Sequence, residues 1–282
     1  MTVGVTGASG HLGRLVIQTL ATRVPAANIL ALARTTAKAA GLGVAVREAD
    51  YDRPETLVVA LKGIDTLLLI SASEVGKRQT EHHNVIEAAR KAGVKRVVYT
   101  SLLRADTSPI GLASEHIATE REIEASGIPH TFLRNGWYNE NYIGSIEAAL
   151  AHGTLLGCAG TGKISSAARA DYADAAVEAV VDAAHVGKTY ELAGDESWTL
   201  ADLAAELSRQ SGKTILYHNV SESEYAATLQ ASGVPKPMAE LVAGWDTGTA
   251  QGGLFDNTRQ LSRLIGHPTT PMSELVRAVV RS

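Results

Sequence analysis

Apolar positions along the first half of the chain alternate between two periods. The runs TVGVT, ILALA, VAVREAD, TLLLI, RVVYTS and HTFLR are short and rich in Val, Leu and Ile, and they read as strands. Between them apolar residues recur at helical spacing, as with Leu12, Leu15, Val16 and Leu20, or Val85, Ala88 and Ala89. Pro54 opens one of these helices, Gly93 closes another, and a helix is expected over 113–125 before Ser126-Gly127. Near-continuous apolar strands separated by helices imply a parallel sheet covered on both faces, with right-handed crossovers. The expected fold class is α/β, a Rossmann-type doubly wound parallel sheet. Most Val and Leu in the strands are then core.

After about Gly153 the pattern changes. A glycine-rich stretch leads to a helix starting near Asp171, TYELAG reads as a further strand, and Thr199 and Gly212 bracket a helix over WTLADLAAELSRQSGK. The remainder reads as helical with Gly/Pro punctuation. The expected division is a Rossmann-type domain over 1–152 and a smaller, mostly helical lobe over 153–282, with some segments returning to the sheet.

The segment VTGASGHLGRLV changes the picture from fold to chemistry. It sets Gly7, Gly10 and Gly13 between the first strand and the first helix. Gly7 suits a tight turn, Gly10 lets backbone approach a pyrophosphate, and Gly13 permits close helix–strand packing, while the helix N-terminus offers free N–H groups. A dinucleotide is the expected ligand, the loop residues Ala8, Ser9, His11 and Leu12 lying with the glycines. At the end of the second strand stands Arg34, with no carboxylate in LALARTTAK. An arginine there offers fork donors to a 2′-phosphate, so NADPH is expected over NADH; the alternative is an ordinary surface arginine. Asp50 in EADYD is either an acceptor for the adenine amine or a turn aspartate. Ser71, Ala72 and Ser73 in ISAS suit either the nicotinamide ribose or a tight strand end.

Composition narrows the partners. The net charge of −4 argues against a nucleic-acid surface. The longest apolar strand-like run, TLLLISA, is too short to span a bilayer. Cys158 is the single cysteine; it is read as a buried structural thiol and, with no secretory signal in view, a cytoplasmic setting is expected. The histidines show no metal-ligand spacing.

Several longer blocks carry a resemblance. LLLISASEVGKR, YTSLLRADTSP, LRNGWYNENY, YELAGDESWTLADLAAEL and LIGHPTTP, with the glycine loop, resemble the NAD(P)H:quinone oxidoreductase type 2 subgroup of NmrA-like atypical short-chain dehydrogenases. The sister group is triphenylmethane dye reductase. The resemblance implies two-electron reduction of a small-molecule quinone by NADPH, often in a homodimer. It places cofactor contacts at Gly7 to Leu12, Arg34, Ser71 to Ser73, and Asn135, Gly136, Trp137, Tyr138, Asn139 and Glu140. The alternatives are a dinucleotide-sensing regulator without turnover and a reductase of cationic dyes.

Short-chain reductases usually carry a Tyr-x-x-x-Lys pair where this chain has His116-x-x-x-Glu120. Carbonyl reduction benefits from a positioned acid, whereas a quinone becomes a stable hydroquinone anion that water can protonate. Orientation against a flat pocket then suffices. Trp137 and Tyr138 are candidates for that surface, the alternative being helix packing; Asn135, Asn139 and Asn141 offer amides, and Lys163 or Arg169 could close the other side. His116 is the candidate proton donor, oriented by Glu120 one turn later, against the alternative of a packed histidine. The catalytic set expected is thus His116, Tyr138 and Asn135.

Overall fold

The computed structural model describes residues 1–281. Contacts divide the chain into two compact units. The first comprises 1–105, 114–135 and 169–190; the second comprises 106–113, 136–168 and 191–282.

The first unit is built on strands β1 (Val3–Val5), β2 (Ile29–Ala33), β3 (Ala45–Glu48), β4 (Thr66–Leu69), β5 (Arg96–Leu102) and β6 (His130–Asn135). With β8 (Thr189–Leu192) they form a seven-stranded sheet in the order β3-β2-β1-β4-β5-β6-β8. The neighbouring pairs among β1 to β6 are parallel. This is the doubly wound sheet read from the sequence. β1, β2, β4 and β5 are buried along their whole length, as strands covered on both faces must be, and the edge strands β3 and β8 are partly exposed.

Helices follow the strands: α1 (His11–Leu20), α2 (Pro54–Ala60), α3 (Arg78–Ala92), α4 (Ala113–Ala125) and α6 (Arg169–Val181). Leu57 of α2, Val85, Ile86 and Ala89 of α3 and Ile123 of α4 pack in one cluster with Leu67, Leu69, Val97, Tyr99 and Phe132 of the sheet. α1 packs against α6. Pro54 takes the first turn of α2, where its missing N–H costs nothing, and Gly93 closes α3 with φ 72°.

The second unit holds α5 (Ile143–His152), β7 (Thr154–Gly157), α7 (Leu200–Ser211), β9 (Leu216–Asn219), α8 (Glu222–Ala231), α9 (Lys236–Ala250), α10 (Gln260–Ile265) and α11 (Met272–Arg281). Thr199 and Asp202 form a reciprocal capping box at the start of α7, and Gly212 ends it at φ 70°. The stretch after α7 was expected to be helical throughout, but β9 pairs in parallel with β7. Its sequence LYHN is mostly exposed and has no apolar alternation, so only the partner strand marks it. Cys158 is half-buried rather than fully buried. Its thiol donates to the Ala243 carbonyl at 3.3 Å, and burial, then the nearby Asp246 carboxylate, push its pKa up to about 11. Such a thiol carries little thiolate and is inert. Among the described residues no helix is long and apolar enough to cross a membrane.

Candidate functional site

At the carboxyl ends of β1 to β4 the first unit encloses a cavity of about 420 Å³. One wall is the glycine loop. Gly7 has φ +57°, and its carbonyl accepts the Gly10 N–H at 2.9 Å. A Cβ on Gly13 would stand 2.3 Å from the Gly7 oxygen and 2.7 Å from the Ala8 Cα, so only glycine lets α1 start this close to β1. Gly10 caps α1 without a side-chain hydrogen bond, and the first turn has no acidic residue. The helix dipole and its free N–H groups are therefore available to an anion. Ser9, Gly10, His11, Leu12 and Gly13 all line the cavity; Ala8 is fully buried behind it.

Arg34, Asp50, Ser71, Ala72 and Ser73 line the same cavity, so the structure brings these sequence candidates together. Arg34 is two-thirds exposed, and its guanidinium lies 3.2 Å from Glu74. Sequence reading found no carboxylate at the end of β2; Glu74 reaches Arg34 from the β4–α3 loop. Asp50 accepts the Asp52 N–H at 3.2 Å, closing a turn after β3. Tyr51 donates its hydroxyl to the Ile70 carbonyl at 3.0 Å.

The loop after β4 is held by groups that sequence reading did not single out. The Ala72 N–H donates to His82 Nε2 at 2.9 Å, and its carbonyl accepts from Arg78 Nε at 3.1 Å and Nη2 at 2.9 Å. Arg78 is itself paired with Glu115 of α4, whose other oxygen accepts the Gly76 N–H at 2.8 Å. Thr119 spends its hydroxyl proton on the Glu115 carbonyl, so its oxygen accepts from His82 Nδ1 at 2.9 Å. Those contacts assign His82 as the neutral Nδ1–H tautomer. Burial, then the charge of Arg78, lowers its pKa to about 3. No sequence spacing signals this clamp, because its members lie on a loop, α3 and α4.

His116 is buried on α4, and its Nδ1 lies 2.7 Å from the Tyr99 hydroxyl. Burial, then the charges of Arg78 and His82, hold its pKa well below the ordinary histidine value. It is therefore a neutral, packed imidazole. The expected i,i+4 contact with Glu120 is replaced by another. Glu120 accepts from Arg134 Nε at 3.0 Å and Nη2 at 2.7 Å, and from the Ser101 hydroxyl. A bidentate guanidinium outcompetes an imidazole for a buried carboxylate.

Asn135 is buried at the end of β6, its carbonyl accepting from Leu103 N–H at 2.9 Å. In the second unit, Gly136 donates to Leu192, and Trp137 meets Trp245 edge-on at 5.5 Å between ring centres. Tyr138 is half-buried and bridges to Ala167. Asn139 is buried; its amide nitrogen donates to Thr270 O at 3.0 Å and its oxygen accepts from Ser166 at 2.6 Å. Its side chain thus ties that loop together. Glu140 is half-buried and Asn141 exposed. The Lys163 ammonium sits 5.6 Å from the centre of the Phe255 ring.

The chain is similar to known proteins over its length. The family model described as "NmrA-like family" matches residues 1–261. Quinone oxidoreductase 2 of Escherichia coli is 55% identical over 277 residues, 97% of each chain. A structure of an Escherichia coli NADPH-dependent quinone oxidoreductase complexed with NADPH superposes with a TM-score of 0.97 at 54% identity, covering 99% of both chains. The triphenylmethane reductase of a Citrobacter species, complexed with NADP(H), gives a TM-score of 0.95 at 39% identity, covering 99% of this chain and all of the other. A model match over most of the sequence and an end-to-end relative with this identity agree with the glycine loop and the sheet order: the chain belongs to the NmrA-like family.

Proposed function

We infer that this protein is an NADPH-dependent quinone reductase. The observation that carries the reading is the cavity over the carboxyl ends of β1 to β4, which has a backbone cradle for a pyrophosphate and Arg34 at the end of β2. The full-length likeness to an enzyme named for quinone reduction adds the substrate class. The residues fit the cofactor. The approach at Gly13 leaves no room for a side chain, the α1 N-terminus is uncapped by side chains, and Arg34 supplies a guanidinium for a 2′-phosphate.

Bound NADPH supplies a hydride. The protein's part is to hold and orient. The glycine loop and α1 hold the pyrophosphate, Arg34 reads the 2′-phosphate, and Ser71 to Ser73 carry the nicotinamide ribose on a loop fixed by His82 and Arg78. Trp137 and Tyr138 are assigned flat surface for the quinone, and Asn135 to Glu140 a share of the cofactor contacts. Since water protonates a hydroquinone anion, His116 is auxiliary, in keeping with its burial and its bond to Tyr99. The setting proposed is the cytoplasm, and the assembly a homodimer.

The test is anaerobic oxidation of NADPH with a simple benzoquinone, alongside NADH and a triphenylmethane dye. Preferred turnover of the quinone with NADPH is expected. Faster turnover of the dye would move the substrate class to the sister group. NADPH binding without turnover of either acceptor would make the protein a dinucleotide sensor.

A further inference from the structure

Glu81 lies in the first turn of α3 and lines the cofactor cavity beside Tyr51 and Asp50. The residue is 5% exposed, and its Oε2 is buried without a hydrogen-bond partner. An uncompensated carboxylate in that setting is costly, because desolvation is not offset by any donor. The neighbouring cations relieve it only in part. Glu74 takes both of them, Arg34 at 3.2 Å and Lys77 at 2.9 Å. Burial, then the charges of Asp52 and Glu74, push the Glu81 carboxyl above its ordinary range. A ligand that brings a hydrogen-bond donor would satisfy this group.

The phosphates of the bound nucleotide offer no donor when ionised. Its donors are the ribose hydroxyls, the nicotinamide carboxamide and, on the base, the adenine 6-amino group. The adenine belongs to the same half of the dinucleotide as the 2′-phosphate, so it lies toward Arg34, and Glu81 is close enough to Arg34 to feel its charge. Asp50 is a poorer acceptor there, because its Oδ1 is already engaged by the Asp52 N–H.

We propose that Glu81 is the adenine-reading residue of this protein, its buried carboxylate accepting from the 6-amino group of NADPH. The proposal rests on the NADPH reading of the cavity. It makes base selectivity a property of α3 rather than of the turn after β3. The neutral pair that a glutamine would form is weaker than the charge-assisted one.

The experiment is a binding titration, by quenching of protein fluorescence, with NADPH and with its 6-deamino analogue, which carries hypoxanthine in place of adenine. In the analogue an acceptor oxygen stands where the amine was. The unmodified protein is expected to bind NADPH about tenfold or more tightly than the analogue. Glu81→Ala should weaken NADPH binding and leave the two ligands nearly equal, and Glu81→Gln should fall between. Melting of the ligand-free variants guards against a trivial loss of fold. Glu81→Ala should melt at or above the temperature of the unmodified protein, since it removes an unpartnered buried charge. Equal affinities in the unmodified protein, retained discrimination in Glu81→Ala, or a lowered melting temperature in that variant would each overturn the assignment. Binding of neither nucleotide would overturn the NADPH reading and the assignment with it.

Discussion

The carboxylate of Glu74 lies 3.2 Å from the guanidinium of Arg34, so a 2′-phosphate arriving at the end of β2 meets an existing ion pair. An exposed pair of this kind adds little to stability. Its importance is competitive, because the phosphate needs the same donors. Arg34→Ala should raise the NADPH dissociation constant roughly tenfold to a hundredfold, with little change for NADH. Glu74→Gln should do the reverse, tightening NADPH a few-fold at low salt, with the gain shrinking as salt screens it. Equal losses with both cofactors in Arg34→Ala would show that the arginine does not read the phosphate.

His116 tests whether the missing Tyr-x-x-x-Lys pair has a substitute. Its pKa is well below the ordinary value, and its Nδ1 is tied to Tyr99, so it is a poor proton donor near neutral pH. His116→Gln should keep quinone turnover within about tenfold, whereas a positioned general acid contributes about 10²–10⁴-fold. A primary isotope effect from deuterated NADPH would establish that hydride transfer limits the rate. A hundredfold loss with NADPH affinity intact would restore His116 as the acid.

Tyr138 separates the substrate from the cofactor. If it supplies surface to the quinone, Tyr138→Ala should lower kcat/KM for quinone by about tenfold or more, the cost of losing a buried aromatic contact. NADPH affinity, read by fluorescence, should hold. Parallel losses in both would assign the residue to the cofactor site or to packing.

Local physics made most of this legible. The inner strands β1, β2, β4 and β5 are buried on both faces, and Pro54, Gly93, Thr199 and Gly212 mark helix ends by their own backbone or side-chain chemistry. The glycine loop is legible for the same reason, since each glycine answers a nearby steric demand. The short sheet of β7 and β9 was missed because its strands are specified by each other rather than by any alternation. Within the site, Arg34 and Ser71 to Ser73 follow from their place after a strand. Glu74, Arg78, His82 and Glu115 do not, because their partners lie on other elements, and Glu81 does not, because its burial is set by the surrounding fold. The expected pairing of His116 with Glu120 failed for this reason. Spacing along α4 allowed it, but Arg134, arriving from β6, claims the carboxylate first.

That buried pair gives a stability prediction. Arg134 and Glu120 are 11% and 3% exposed at the side chain. Removing one member of such a pair is costly, about 3–5 kcal/mol, because the other is left desolvated. Glu120→Ala should therefore lower the unfolding free energy by that order in chemical denaturation. An effect under about 1 kcal/mol would mean that the pair is solvated.

The pH dependence of stability follows from His82. Its folded pKa is about 3, lowered by burial and by Arg78, while an unfolded histidine titrates near 6.5. Between those values the unfolded chain binds the extra proton, so stability must fall as pH falls. The contribution is fully present above about pH 6.5 and is lost progressively down to about pH 3. From about pH 6.5 to pH 5 the loss from this one group is on the order of 2 kcal/mol. His116, shifted in the same direction, adds to it. The same protonation strikes function. His82 Nε2 accepts the Ala72 N–H, and a protonated ring has no lone pair to do so. The loop lining the cofactor cavity then loses one of its two anchors, while Arg78 still holds the Ala72 carbonyl. Because the folded pKa is about 3, NADPH affinity should hold from about pH 7.5 to 5.0 and weaken through this group only as pH approaches 3. His82→Gln keeps an acceptor oxygen on α3 but cannot titrate, so it should flatten the stability profile between about pH 6.5 and 5 while leaving NADPH affinity flat there. Denaturant unfolding and NADPH titration at pH 7.5, 6.0 and 5.0, on the protein and this variant, check the prediction. Stability profiles that stay parallel would show that other groups, not His82, set the acid sensitivity.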